Sequence, residues 1–156
     1  MNNNCPFCDP EVVNIAFAEG LGFYAVYNHA PVVTGHCLVI PFKHTTDLLA
    51  LDTREYTNFF AFAREVVVFL NSYYSTSEFD MSIQQGENAG QSVAHLHMHI
   101  LPRKANDLPQ GEEWFHKLNE DEFTSLDSTK FLSDEELKSI SRKLRIAWQA
   151  GLNKKQ

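Results

Sequence analysis

Read for its apolar and polar positions, the chain divides into strand-like stretches and two helices. "VVNIAFAEG" (12–20) is apolar over most of its length, and "GFYAVYN" (22–28) is aromatic and β-branched. Gly20 and Gly22 bracket Leu21 between them, so the two runs read as strands joined by a hairpin turn. "HAPVVTGH" reads as a connection, and "HCLVIP" (36–41) as a buried strand stopped by Pro41. "TTDLLAL" predicts a short helix or turn. From Thr53 to Tyr74 the period lengthens: Phe59, Phe62, Ala63, Val66, Phe69 and Leu70 form one helical stripe. Asp52 caps this helix and Glu55 stands three residues on, as in a capping box. "FDMSIQQGEN" returns to alternation at Phe79, Met81 and Ile83, and after the turn "AGQS" the run "HLHMHILP" predicts its partner strand. Residues 103–132 are charged and irregular, the pattern of a long surface loop. Ser133 and Glu136 then cap a final helix over 134–150, with Gly151 as its stop. The strands cluster, the helices stand apart and no βαβ alternation occurs. The expected class is therefore α+β, with a mainly antiparallel sheet, one long helix and a C-terminal helix.

Length and composition narrow this picture. The 156 residues suit one compact domain, and 44% hydrophobic content with twelve phenylalanines supports a sizeable core. A net charge of -7 argues against a nucleic-acid partner, which needs a basic surface, but leaves room for a small anion in a local positive pocket. No apolar run approaches a membrane span and the first ten residues carry no signal-peptide pattern, so the expected location is the cytoplasm. Of three cysteines, Cys5 and Cys8 form a CxxC, which in a reducing compartment is a metal clip or a redox pair. Cys37, inside an apolar run, reads as a core residue.

The chemistry is concentrated in "GQSVAHLHMHILPR" (90–103). His95, His97 and His99 alternate with Leu96, Met98 and Ile100, so a strand would put the imidazoles on one face and the apolar residues on the other. A His-x-His strand can bind a metal, and imidazole can also act as nucleophile, proton carrier or phosphate ligand near neutral pH. Gly86, Gly90 and Ser92 just upstream offer backbone and hydroxyl donors to an anion, which favours phosphate over a purely metal role.

The pattern His-φ-His-φ-His-φ-φ, with φ hydrophobic, resembles the histidine triad (HIT) family. "NHAPVVTGHCLVIP" (28–41) resembles that family's nucleoside-binding strand-loop-strand. "IQQGENAGQSVAHLHMHILPRKANDLP" (83–109) is similar to the fragile-histidine-type dinucleoside polyphosphate hydrolases. The likeness runs from about residue 5 to 109, within a single domain of 156 residues, and leaves 110–156 without a family signal.

By this resemblance His97 is the nucleophile toward an α-phosphate, and His99 contacts phosphate oxygens and assists the leaving group. Gln91 and Ser92 would bind the phosphate, Asn28 a ribose hydroxyl and Gln84 the nucleotide. His36 would orient His97 or line the site. Histidine rather than glutamine at position 99 favours hydrolysis over transfer. Cys5, Cys8, His44 and His95 fall at the spacing some members use for a structural Zn²⁺, and a divalent cation would accompany a polyphosphate. The implied partners are a purine nucleotide or dinucleoside polyphosphate and a second copy of the chain. Phe60, Val67 and Val68 are consistent with a further buried face on the long helix. Arg103 and Lys104 are candidates for the extra phosphates; Phe7, Phe17 and Phe23 are candidates for a base pocket, with the core the preferred reading for each. Three other readings stand beside the polyphosphate hydrolase: a nucleoside phosphoramidase, a nucleotide-binding module with little turnover, and a zinc hydrolase with His95, His97 and His99 directly on metal.

Overall fold

A computed structural model describes residues 5–108 and 131–153, so most of the loop expected over 103–132 lies outside the described residues. In chain order the elements are α1 (Pro10–Asn14), β1 (Ala18–Gly20), β2 (Phe23–Tyr27), β3 (Cys37–Pro41), α2 (Thr53–Tyr74), β4 (Glu78–Ser82), β5 (Met98–Arg103) and α3 (Asp134–Asn153). Five strands form one sheet in the order β1-β2-β3-β5-β4, and every pairing is antiparallel. This is the α+β architecture that the clustered strands predict.

The long helix follows its sequence signals closely. Asp52 accepts the Glu55 N–H at 2.7 Å while Glu55 accepts the Asp52 N–H at 3.0 Å, which closes the capping box. The predicted stripe is largely the face that packs: Phe59, Phe62, Ala63, Val66 and Leu70 are buried, joined by Val67. Phe23 stacks on Phe59 at 5.0 Å between ring centroids. Phe17 and Phe23 are thus core residues, not base-pocket walls. Of the helix positions beyond the stripe, Val67 lies in the chain's own core, Phe60 packs against that core and Val68 is exposed.

Two expectations fail. The run 12–20 is not one strand, because its start is helical over Pro10–Asn14. Asp9 accepts the Glu11 N–H at 2.9 Å and Pro10 occupies the first turn, a helix-start signal that overrides the β-branched pair Val12 and Val13. Gly151 does not stop the last helix, which continues to Asn153. A glycine near a helix end costs only about 1 kcal/mol, within what the buried Leu144 and Trp148 of α3 can offset.

The two sheet faces differ. Ala25, Val39, Met98 and Ile100 lie in the core with α2 and α3, whereas Tyr24, Val26, Leu38 and Ile40 pack under Phe7, Val12, Val13 and Ile15. His99 pairs across the sheet with Leu38 on one side and Ser82 on the other, so its side chain emerges on the face away from α2. No helix among the described residues is long and apolar enough to cross a membrane.

Gly35 holds the approach to β3. Its φ is +92°, and a Cβ there would come within 2.5 Å of Pro102 and 2.7 Å of Tyr74. Gly35→Ala is expected to lower stability by ~2–4 kcal/mol, from backbone strain and overpacking together. Urea unfolding measures this, and a midpoint equal to wild type would contradict the close approach.

Candidate active site

The three alternating histidines do not share one strand. β5 begins at Met98, and His95 to His97 lie in the bent segment that leads into it. That segment is tied across the fold by the Leu96 N–H, which donates to the Thr45 carbonyl at 2.6 Å. The bend divides the imidazoles, which are all buried, among different neighbours.

His95 turns toward the N-terminal loop. Its Nε2–H donates to the Pro41 carbonyl at 2.9 Å, which leaves the Nδ1 lone pair facing Cys5 Sγ at 3.4 Å and Cys8 Sγ at 3.7 Å. Cys8 Sγ also lies 3.4 Å from His44 Nδ1, and the four ligand atoms all fall within 4.8 Å of one another. Ligands about 2.0–2.3 Å from a tetrahedral ion stand roughly 3.3–3.8 Å apart, a range the three sulfur–nitrogen contacts match, and two thiolates with two imidazoles are the donor set of a closed tetrahedral site. The Pro41 carbonyl orients His95 as an outer-shell acceptor orients a metal-bound imidazole. Burial, with smaller contributions from His44 and His97, pushes the His95 pKa down to about 4 against the opposing Pro41 bond, which keeps the ring neutral as a ligand must be.

The same loop reaches His97. Phe7 sits between the two cysteines, and its carbonyl accepts the Tyr24 hydroxyl at 2.6 Å. Its ring meets His97 at 5.2 Å and His95 at 5.9 Å between centroids, edge to face in both cases. His97 Nδ1–H donates to the His95 carbonyl at 2.8 Å, which leaves its lone pair on Nε2. Burial holds its pKa below the ordinary value, the His95 bond opposing. His97 is therefore a neutral imidazole with a fixed tautomer at neutral pH.

His99 lies 5.1 Å from His97 and 5.1 Å from His36, centroid to centroid. Its Nδ1 is 2.9 Å from His36 Nε2, and the Val32 N–H donates to His36 Nδ1 at 3.2 Å. Asn28 Nδ2 stands 3.3 and 3.4 Å from the two His36 nitrogens, while Asn28 Oδ1 accepts the Ala30 N–H at 3.1 Å. His36 is fully buried, and its Nε2 meets His99. Burial first, then the nearby His97, pushes its pKa down to about 3. Burial, then His36 and His97, holds His99 well below its ordinary value.

These shifts have a sign for stability. Both imidazoles titrate near 6.5 when unfolded but resist protonation when folded. The unfolded chain alone takes up protons below that pH, so stability is complete above ~6.5 and falls as the pH drops toward about 3 for His36, with His99 adding in the same direction. Urea midpoints should drop from pH 7 to pH 5, and equal midpoints would contradict the neutral buried pair.

The other candidates spread along the site. Gln84 Nε2 donates to Ser82 Oγ at 3.0 Å, beside His99 on the neighbouring strand, and Gln84 Oε1 is buried with no partner among the described residues. Gln91 ties its own loop together, accepting the Gly86 N–H at 2.7 Å and donating its backbone N–H to the Gly86 carbonyl at 3.1 Å. Ser92 is exposed on that loop. Arg103 is paired with carboxylates. Asp107 takes its Nε and Nη2 at 2.8 and 2.9 Å and Asp80 takes its Nη1 at 2.5 Å, which fixes the fork at the edge of the sheet. The structural partners without any signature in the sequence are main-chain groups: the Val32 amide and the Pro41 and His95 carbonyls.

A neutral imidazole with its lone pair on Nε2 and a second imidazole beside it, on β5 and the segment leading into it, are the arrangement of a histidine triad domain. The chain belongs to the HIT domain family, which matches residues 11–106. It is 36% identical over 98 residues to the asymmetrical bis(5'-nucleosyl)-tetraphosphatase of Schizosaccharomyces pombe, covering 63% of this chain but only 54% of that protein. It is 29% identical over 140 residues to the bis(5'-adenosyl)-triphosphatase of Dictyostelium discoideum, covering 90% of this chain and 89% of the relative. A histidine triad nucleotide-binding protein of Sulfolobus tokodaii superposes with a TM-score of 0.70 at 25% identity, covering 94% and 93% of the two chains.

Proposed function

We propose that this protein hydrolyses dinucleoside polyphosphates of the diadenosine tri- or tetraphosphate type through a nucleotidyl-histidine intermediate. The observation that carries the reading is the His97 tautomer, because Nδ1 is committed to the His95 carbonyl and Nε2 is left as a nucleophile. In the first step the Nε2–P bond forms at the α-phosphate and the P–O bond to the remaining phosphates breaks, its electron pair leaving with them. His99, adjacent to His97, contacts the phosphate oxygens and assists that departure. Water then attacks the same phosphorus, the N–P bond breaks and the nucleoside monophosphate leaves. The names and near full-length coverage of relatives such as the Dictyostelium triphosphatase support this substrate class.

Asn28 and the orphan acceptor Gln84 Oε1 suit the nucleoside side, where a ribose hydroxyl would satisfy a buried oxygen that has no donor among the described residues. Gln91 and Ser92 would hold the phosphate from the loop, and a divalent cation would arrive with the polyphosphate. We assign zinc to Cys5, Cys8, His44 and His95, where it would supply a cross-link between the N-terminal loop and the segment carrying His97. That assignment disfavours a zinc hydrolase, since the metal group takes His95 but neither His97 nor His99. We also infer a cytoplasmic homodimer, with Tyr56 and Val68 on the exposed side of α2 available to a second copy.

A substrate panel tests the reading. Diadenosine tri- and tetraphosphate should be turned over faster than an adenosine phosphoramidate, and quenched enzyme should carry a nucleotidyl adduct at His97. Faster phosphoramidate cleavage would favour the phosphoramidase reading, and binding without turnover of any substrate would favour the binding module.

A further inference from the structure

His36 has no step in the mechanism above, yet it is fully buried between two groups that constrain it completely. On one side the Val32 N–H points at Nδ1 from 3.2 Å. A backbone amide only donates, so this nitrogen must carry the lone pair. A neutral imidazole has one N–H, which is then on Nε2. That atom lies 2.9 Å from His99 Nδ1, and two nitrogens at this separation must share one proton. His99 Nδ1 is therefore the acceptor, and the proton of His99 belongs on Nε2.

We propose that the Val32 amide, acting through His36, fixes His99 as its Nε2–H tautomer, so that His99 presents a donor to the anionic phosphate. His36 is then a positioning residue, and this role rests on the hydrolase reading above. The opposite arrangement would set the Val32 N–H against a His36 Nδ1–H in a buried site, where an unmade hydrogen bond is costly. It would also turn a lone pair of His99 toward phosphate oxygens. Asn28 Oδ1 is committed to the Ala30 N–H, so Asn28 meets the His36 ring with its amide donor, which only the bare Nδ1, 3.4 Å away, can accept.

Two neighbouring triad members thus carry opposite tautomers, each set by the main chain. A carbonyl at residue 95 puts the proton of His97 on Nδ1. An amide at residue 32, relayed by His36, puts the proton of His99 on Nε2. One ring offers an electron pair and the next offers a proton, and no carboxylate is needed to tell them apart.

Nitrogen NMR on the full-length protein, as purified and labelled with ¹⁵N-histidine, reads this directly. Long-range ¹H–¹⁵N correlations should show protonated Nε2 and bare Nδ1 for His36 and His99, and the reverse for His97. In His36→Leu, the Nδ1–H form of His99 should appear, and the single-turnover rate of nucleotidyl transfer should fall about 10- to 100-fold. His36→Gln, whose amide can donate in place of the imidazole, should restore the His99 tautomer and most of that rate. A wild-type His99 protonated on Nδ1 would overturn the proposal, whether or not any variant folds. So would an unchanged His99 tautomer in His36→Leu. Correct tautomers in a wild-type protein that hydrolyses no dinucleoside polyphosphate would uphold the relay and refute the hydrolase reading instead.

Discussion

His97→Ala abolishes release of nucleoside monophosphate from diadenosine polyphosphates while nucleotide binding persists. The expected loss is ~10⁴-fold or more in kcat, the scale seen when a covalent nucleophile is removed and only binding and oxyanion contacts remain. Binding survives because Asn28, Gln84 and His99 are untouched, and the substitution removes an edge contact with Phe7 without opening the main core. Steady-state kinetics and nucleotide titration separate the two quantities. Full activity in this variant would end the mechanism, and a parallel loss of binding would point to His97 as a ligand-holding residue instead.

The second large effect belongs to the loop clip. Cys8→Ser is expected to remove stoichiometric zinc and to lower stability by ~3 kcal/mol, the linkage expected at a metal concentration about 100 times Kd. For a chain of this size that is a fall of roughly 10 °C in Tm. Cys8 is the choice because its sulfur faces both His44 and His95, so its loss disturbs two ligands at once. Activity should fall too, since Phe7 rides on the same turn and its ring contacts His97. Elemental analysis of protein purified without added zinc, with thermal melts of both forms, checks this. Metal-free wild type with an identical Tm would remove the clip from the account.

How much of this was legible beforehand depended on what kind of group did the work. The capping box at Asp52 and Glu55 and the stripe of α2 are local signals, and they set its bounds as Thr53–Tyr74. The Cys5, Cys8, His44 and His95 group was readable because each member is chemically unusual and the family spacing joins them. The reading of three histidines on one strand face was incomplete, since alternation cannot reveal that β5 starts only at Met98. Residue identity lets His36 orient His97 or line the site, and its 2.9 Å approach to His99 leaves no trace in the sequence. The charge of Arg103 suggests phosphate, and nothing in residue identity shows that Asp80 and Asp107 pair with it. Main-chain partners such as the Val32 amide leave no trace in residue identity, because every residue but proline has one.

The two faces of the sheet give the molecule a separation of variables. Val39, Met98 and Ile100 anchor the strands from below, while Leu38 and His99 belong to the upper side. An engineer seeking a hardier catalyst can recompose the lower layer with volume-matched apolar residues and leave the imidazole circuitry unread by the change. The lower layer is then a dial for durability that can be turned without touching the chemistry above it.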